Sequence, residues 1–156
     1  MMADTPDPSN LEEVFRDFRE EVSRQNAADD AEARYKLGLT YRDMGMVDAS
    51  LKELEHAARS PQRRFEASAL LARLLRDRGD LGAAVEWFER AAEAPPPSRE
   101  EGRELLYDLA RTLETGGEGA RALAVYLELQ ADAGDFRDVS VRVARLARDQ
   151  SGEDDE

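Results

Sequence analysis

The chain has 156 residues, room for one domain with a continuous core, and a formal net charge of −13 with a pI near 4.6. That surplus of acid argues against nucleic acid or an anionic membrane as partner, while 41% apolar residues argue against wholesale disorder even at 37% charged. Cysteine is absent, which removes disulfides, thiolate chemistry and cysteine-bound zinc, and no apolar run reaches the roughly 18 residues of a membrane span.

Residues 1–10, with their Asp, Thr and two prolines, predict a disordered tail. It lacks the basic and apolar segments of a signal peptide, so a cytoplasmic location is expected. Ser9 with Glu12 and Asn10 with Glu13 both fit a capping box, placing a helix over 11–25. Leu11, Val14, Phe15, Phe18 and Val22 give it one apolar face. This face is expected to pack as an N-terminal cap over the open end of the helices that begin at Ala31, with Asn26–Asp30 as a polar break before them.

From Ala31 onward one pattern recurs. Its clearest copy, within 65–98, has Leu71-Ala72 and Leu75 on a first helix, a Gly79-Asp80 turn, and Ala84, Phe88 and Ala91 on a second helix stopped by proline. Moved back 34 residues it meets Leu37-Gly38, Tyr41, Gly45, Ser50, Leu54 and Ala57; moved forward 38 it meets Leu109-Ala110, Leu113, Gly117, Ala122 and Tyr126. The small residues at Gly38, Ala72 and Ala110, and at Ser50 and Ala84, let paired helices approach closely. Leu37, Gly38 and Tyr41 are expected to face inward in the first copy. Pro95-Pro96-Pro97 reads as a lengthened turn between the second and third copies. Beyond Asp135, Phe136, Val139, Val143, Ala144, Leu146 and Ala147 predict a C-terminal capping helix over 137–149, then an acidic tail over 150–156.

Three helix–turn–helix copies, at 31–64, 65–98 and 103–136, resemble tetratricopeptide repeats. The resemblance implies an all-α, right-handed solenoid of helix–turn–helix repeats and a protein-binding role without catalysis. In that family the first helix of each repeat lines a concave groove. Carrying its outward offsets onto this sequence gives Tyr35, Leu39 and Arg42 from the first repeat, Arg73 and Arg76 from the second, Tyr107 and Arg111 from the third, and Arg145 and Arg148 from the last helix. A ladder of six arginines with two tyrosines would suit a protein or peptide carrying acidic groups. The competing reading is a solvated face, with Arg73–Asp77 and Arg145–Asp149 as local i,i+4 ion pairs.

The carboxylate clamp by which some tetratricopeptide domains hold chaperone C-termini would fall on Tyr35, Leu39, Leu70, Glu104 and Asp108, none of them basic, so that clamp is not expected. Leu37–Gly45, Pro61–Arg64 and Asp135–Val139 are similar to tetratricopeptide modules at the C-termini of bacterial multidomain proteins, some of which bind a Ras-like GTPase in pilus or motility systems. Self-association through the capping helices is the alternative expectation, although a monomer is favoured.

Nothing in the sequence assembles an active site. His56, the single histidine, has no positioned partner, and no serine or threonine has a base beside it. Thr115–Gly119 has glycines but lacks the Lys-Ser/Thr end of a phosphate loop, and it falls where the other copies have turns. No calcium-loop or His-Glu spacing occurs, so neither metal nor cofactor is expected.

Overall fold

Between Ser9 and Leu37 the chain has neither glycine nor proline. The computed structural model, which describes residues 8–152, carries one helix across all of this stretch: α1, Pro8–Asp43. The expected break at Asn26–Asp30 is therefore corrected. Asn and Asp each cost a helix under about 0.7 kcal/mol relative to alanine, too little to stop one that has started. The helix also begins earlier than the sequence suggested, and residues 1–7 of the expected tail lie outside the described residues.

Six shorter helices come after it: α2 (Val47–Ala58), α3 (Arg64–Asp77), α4 (Leu81–Ala92), α5 (Arg99–Thr115), α6 (Gly119–Ala133) and α7 (Val139–Gly152). The turns that close α1–α2, α3–α4 and α5–α6 share one design. Gly45, Gly79 and Gly117 sit at φ of +76°, +89° and +81°, a left-handed conformation that costs a side-chain-bearing residue dearly. Around each, the next amide bonds back five residues, Met46 to Tyr41, Asp80 to Leu75 and Glu118 to Leu113, at 2.9 Å every time. The glycine amide itself bonds back three. This pairing satisfies the last carbonyls of the first helix and reverses the chain. Thr115–Gly119 is such a turn.

Small residues do what their spacing predicted. Ala72, Ala84, Ala110 and Ala122 are wholly buried. A Cβ placed on Gly38 would lie 2.7 Å from Leu54 Cδ2, so any side chain there would have to displace Leu54 from this close approach of α1 to α2. Ser50 adds a hydrogen bond across the same contact, its Oγ donating to the Gly38 carbonyl at 2.7 Å. Ser98 caps α5 by accepting the Glu101 amide at 3.1 Å, which starts that helix at Arg99, ahead of the expected 103. The prolines occupy the turn before it, and α7 runs on to Gly152, leaving only 153–156 of the expected acidic tail outside the described residues.

Extensive helix contacts run only between consecutive helices, α1 to α2 through to α6 to α7, which is the quasi-linear stacking of a solenoid. The main core spans α3 to α7 around Phe88, Leu105, Leu113, Tyr126 and Leu129, and a smaller cluster of Leu54, Ala57, Ala67 and Leu71 joins α2 to α3. At about 1.5 Å per residue α1 is some 54 Å long and α2 some 18 Å, so α2 flanks only its last third. The N-terminal part consequently does not fold back as a cap. Leu11, Val14, Phe15, Phe18 and Val22 stand 39–66% exposed, and Leu37, expected inside, is 41% exposed because no described residue covers that flank. At the other end α7 buries Val139 and Leu146 but leaves Ala144 and Ala147 exposed, with no helix packed on that face among the described residues.

Candidate protein-binding groove

The odd-numbered helices are joined by side chains that reach from each to the next, and most of the predicted groove residues belong to these links. Glu32 on α1 accepts Arg63 Nε at 2.7 Å, and the Arg63 guanidinium lies 4.6 Å over the Tyr35 ring. Tyr35 is half-buried, and that burial raises the pKa of its hydroxyl. Leu39 is also half-buried, while Arg42 is exposed and pairs with its neighbour Asp43 at 3.0 Å.

Between α3 and α5 the arginines converge on one acid. Arg73 Nε lies 3.0 Å from Asp108 Oδ2 and Arg76 Nη1 lies 3.6 Å from Asp108 Oδ1, with Arg76 Nε also 3.1 Å from Asp77. The expected local pair of Arg73 with Asp77 gives way to this bridge between helices. Tyr107, expected as an exposed contact, is only 8% exposed. Its ring packs edge-on against Tyr126 and Phe136, and its hydroxyl donates to Asp138 Oδ1 at 2.6 Å. Hydrogen bonding from Tyr107, more than from Arg142, holds the Asp138 carboxyl below its ordinary pKa.

Between α5 and α7 the centre is Glu114. It accepts Arg142 Nη1 through both oxygens at 3.1 Å, the Tyr126 hydroxyl at 3.0 Å, and Arg145. Arg145 thus leaves Asp149 for Glu114, again exchanging a local pair for one across helices. Arg142 also reaches Asp138 through Nε at 2.9 Å. Its pKa is raised even though burial, the largest effect, pushes it down, because Asp138 and Glu114 together outweigh that. Burial, reinforced by Glu114, likewise raises Tyr126. Arg142, which with Glu114 forms the centre of this ladder, was not among the predicted site residues. The clue lay in acids placed about one repeat away from the arginines, Asp108 lying 35 residues beyond Arg73.

Three predicted residues do meet in one concavity. Arg76, Tyr107 and Arg111 line a hollow of about 300 Å³ with Asp108 and Thr112 at the α3–α5 seam. Arg111 is exposed; its one polar contact of note is Nη1 to the Tyr107 hydroxyl at 3.4 Å, and among the described residues it has no carboxylate within ion-pair distance. Arg148 is exposed at the far end of α7, away from this hollow, and its backbone carbonyl receives Ser151 Oγ at 3.0 Å. His56 is exposed on α2, and among the described residues no cluster of three metal-ligating side chains forms.

Residues 35–99 match the tetratricopeptide repeat family model. The crystal structure of MamA is similar to this chain over 96% of its length and 87% of the MamA chain, with a TM-score of 0.63 at 19% sequence identity, a likeness of fold. No curated protein matches.

Proposed function

We propose that this chain, whose residues 35–99 match the tetratricopeptide repeat family model, is a non-catalytic adaptor that receives an acidic group of a protein partner at the α3–α5 hollow. The family and the fold make it a protein–protein interaction scaffold in general. One observation supports the finer reading. Arg111 lines the hollow without a carboxylate of its own among the described residues, next to Arg76, one of whose two acid partners, Asp108, is shared with Arg73. A carboxylate from outside would complete a fork geometry that arginine makes well. Arg73, Arg145 and the Tyr107 ring belong in this reading to the scaffold that fixes the hollow, and they are poor choices for a binding test.

Affinity capture from the source lysate, wild type beside Arg111→Glu, tests it. A protein retained by wild type and lost by the variant supports the hollow. Equal retention by both, with unchanged helicity, removes it.

A second reading, self-association, is favoured by the α1 stripe of Leu11, Val14, Phe15, Phe18 and Val22, a contiguous apolar face left open to water. Sedimentation velocity across a concentration series discriminates: a Phe15→Ser, Phe18→Ser variant would abolish any concentration-dependent mass. A wild type that stays monomeric at high concentration sinks this reading.

A further inference from the structure

A larger concavity, about 610 Å³, opens where the end of α2, the start of α3 and the C-terminal half of α4 meet, and it shares no lining residue with the α3–α5 hollow. Arg59, Arg64 and Arg90 line it together with Trp87 and Ser68. Thirteen of the twenty arginines make ion pairs among the described residues, yet none of these three does. Arg64 spends its donors on the carbonyls of Ala58 and Arg59, at 3.4 and 3.1 Å, where α2 ends. Arg90 lies 4.4 Å over the Trp87 ring. Ser68 is 1% exposed, and its Oγ is a buried side-chain atom without a hydrogen-bond partner. Such an orphan donor calls for an explanation, and an absent ligand group is one.

We propose that this concavity is a second ligand site, taking a single carboxylate carried on an apolar body. The charges argue for one negative charge. Glu55 and Glu93 also line the hollow, again outside any ion pair among the described residues, so three guanidinium groups share the lining with two carboxylates and one positive charge is left over. A lone carboxylate neutralises it, whereas a phosphate monoester at about −1.5 to −2 would overshoot and meet two like charges. Trp87 supplies the flat apolar wall, and the arginine forks supply planar recognition of the carboxylate. Ser68 lines the same concavity with its hydroxyl unpartnered. The site lies outside the groove offsets of the repeat, so it does not depend on the reading given for Arg111.

Trp87 is the only tryptophan, so the protein has one indole N–H signal in a ¹H–¹⁵N spectrum, and that signal reports on this concavity directly. The probes are N-acetyl-leucine, its amide N-acetyl-leucinamide, which has no carboxylate, and inorganic phosphate, all at matched ionic strength. N-acetyl-leucine should shift the indole signal saturably, the amide should not, and phosphate should bind more weakly. The Arg59→Gln, Arg90→Gln variant, with helicity unchanged, should bind N-acetyl-leucine about tenfold more weakly or worse, as expected for lost charge-assisted bonds. A response to the amide equal to that of the acid, phosphate binding as tight or tighter, no saturation, or unaltered binding in the variant would each overturn the proposal.

Discussion

Replacing Arg142 with methionine should loosen the C-terminal end of the solenoid more than any exposed change can. The side chain is 17% exposed and its partner Glu114 18% exposed, so the pair is screened weakly by solvent. Arg142 makes two charge-assisted contacts: one fork arm shared by both Glu114 oxygens, and Nε to Asp138. A hydrogen bond to a charged group contributes about 1.5–3 kcal/mol. The Asp138 contact is discounted because that carboxylate is 44% exposed. Glu114 keeps Tyr126 and Arg145 after the substitution, so it is not left bare. The net loss should be about 2–4 kcal/mol. Urea denaturation followed by circular dichroism measures it: with a slope near 2 kcal/mol/M, the midpoint should fall by about 1–2 M. Amide exchange in α7 should speed up more than in α3, since only consecutive helices share extensive contacts. Arg142→Lys, which keeps the charge and loses the fork, should fall between. A loss below about 0.5 kcal/mol in the methionine variant would refute the claim that Glu114 is the clasp of α5, α6 and α7.

Gly38→Ala should destabilise by up to about 2 kcal/mol, because overpacking against the buried Leu54 exceeds the roughly 1 kcal/mol gained in helix propensity; thermal denaturation reads the sign. Two other glycines should respond oppositely to alanine. Gly79, at φ +89°, should lose about 1 kcal/mol or more, whereas Gly82, in α4 with open space where a Cβ would go, should gain about 0.5–1 kcal/mol. Asp138 predicts an acid-side loss. Its folded pKa is depressed, so its contribution is present above the ordinary carboxylate value of 3.8 and disappears as pH falls from there through the lowered folded value. Asp138→Asn should flatten that part of a stability–pH curve, and an unchanged curve would show that Tyr107 does not tune this carboxyl.

The fold was legible because its rules are local. A glycine that must turn left-handed and an alanine that must admit a neighbouring helix recur at fixed spacing, and each does what the spacing implied. The course of α1 was misread because polar residues at 26–30 look like a break, yet without glycine or proline they do not stop a helix. The arginine ladder was visible as a set of positions, but its partners were not. A local i,i+4 acid was the natural choice for Arg73 and Arg145, and in both cases an acid on a neighbouring repeat helix holds the guanidinium instead. Tyr107 turned inward for a similar reason: Asp138, one repeat on, and the rings of Tyr126 and Phe136 offer more than solvent does. The concavity around Trp87 draws on three helices, so no single stretch of sequence displays it.

The most direct test of the binding account maps the contact surface. With ¹⁵N-labelled protein and a partner retained by wild type but not by Arg111→Glu, amide and arginine Nε signals are compared before and after binding. The account predicts the largest changes at Arg76, Arg111 and the end of α5 around Thr112 and Thr115, with little change between Leu11 and Val22. Changes confined to Leu11–Val22, with the α3–α5 signals unmoved, would contradict it and make the open face of α1 the docking surface.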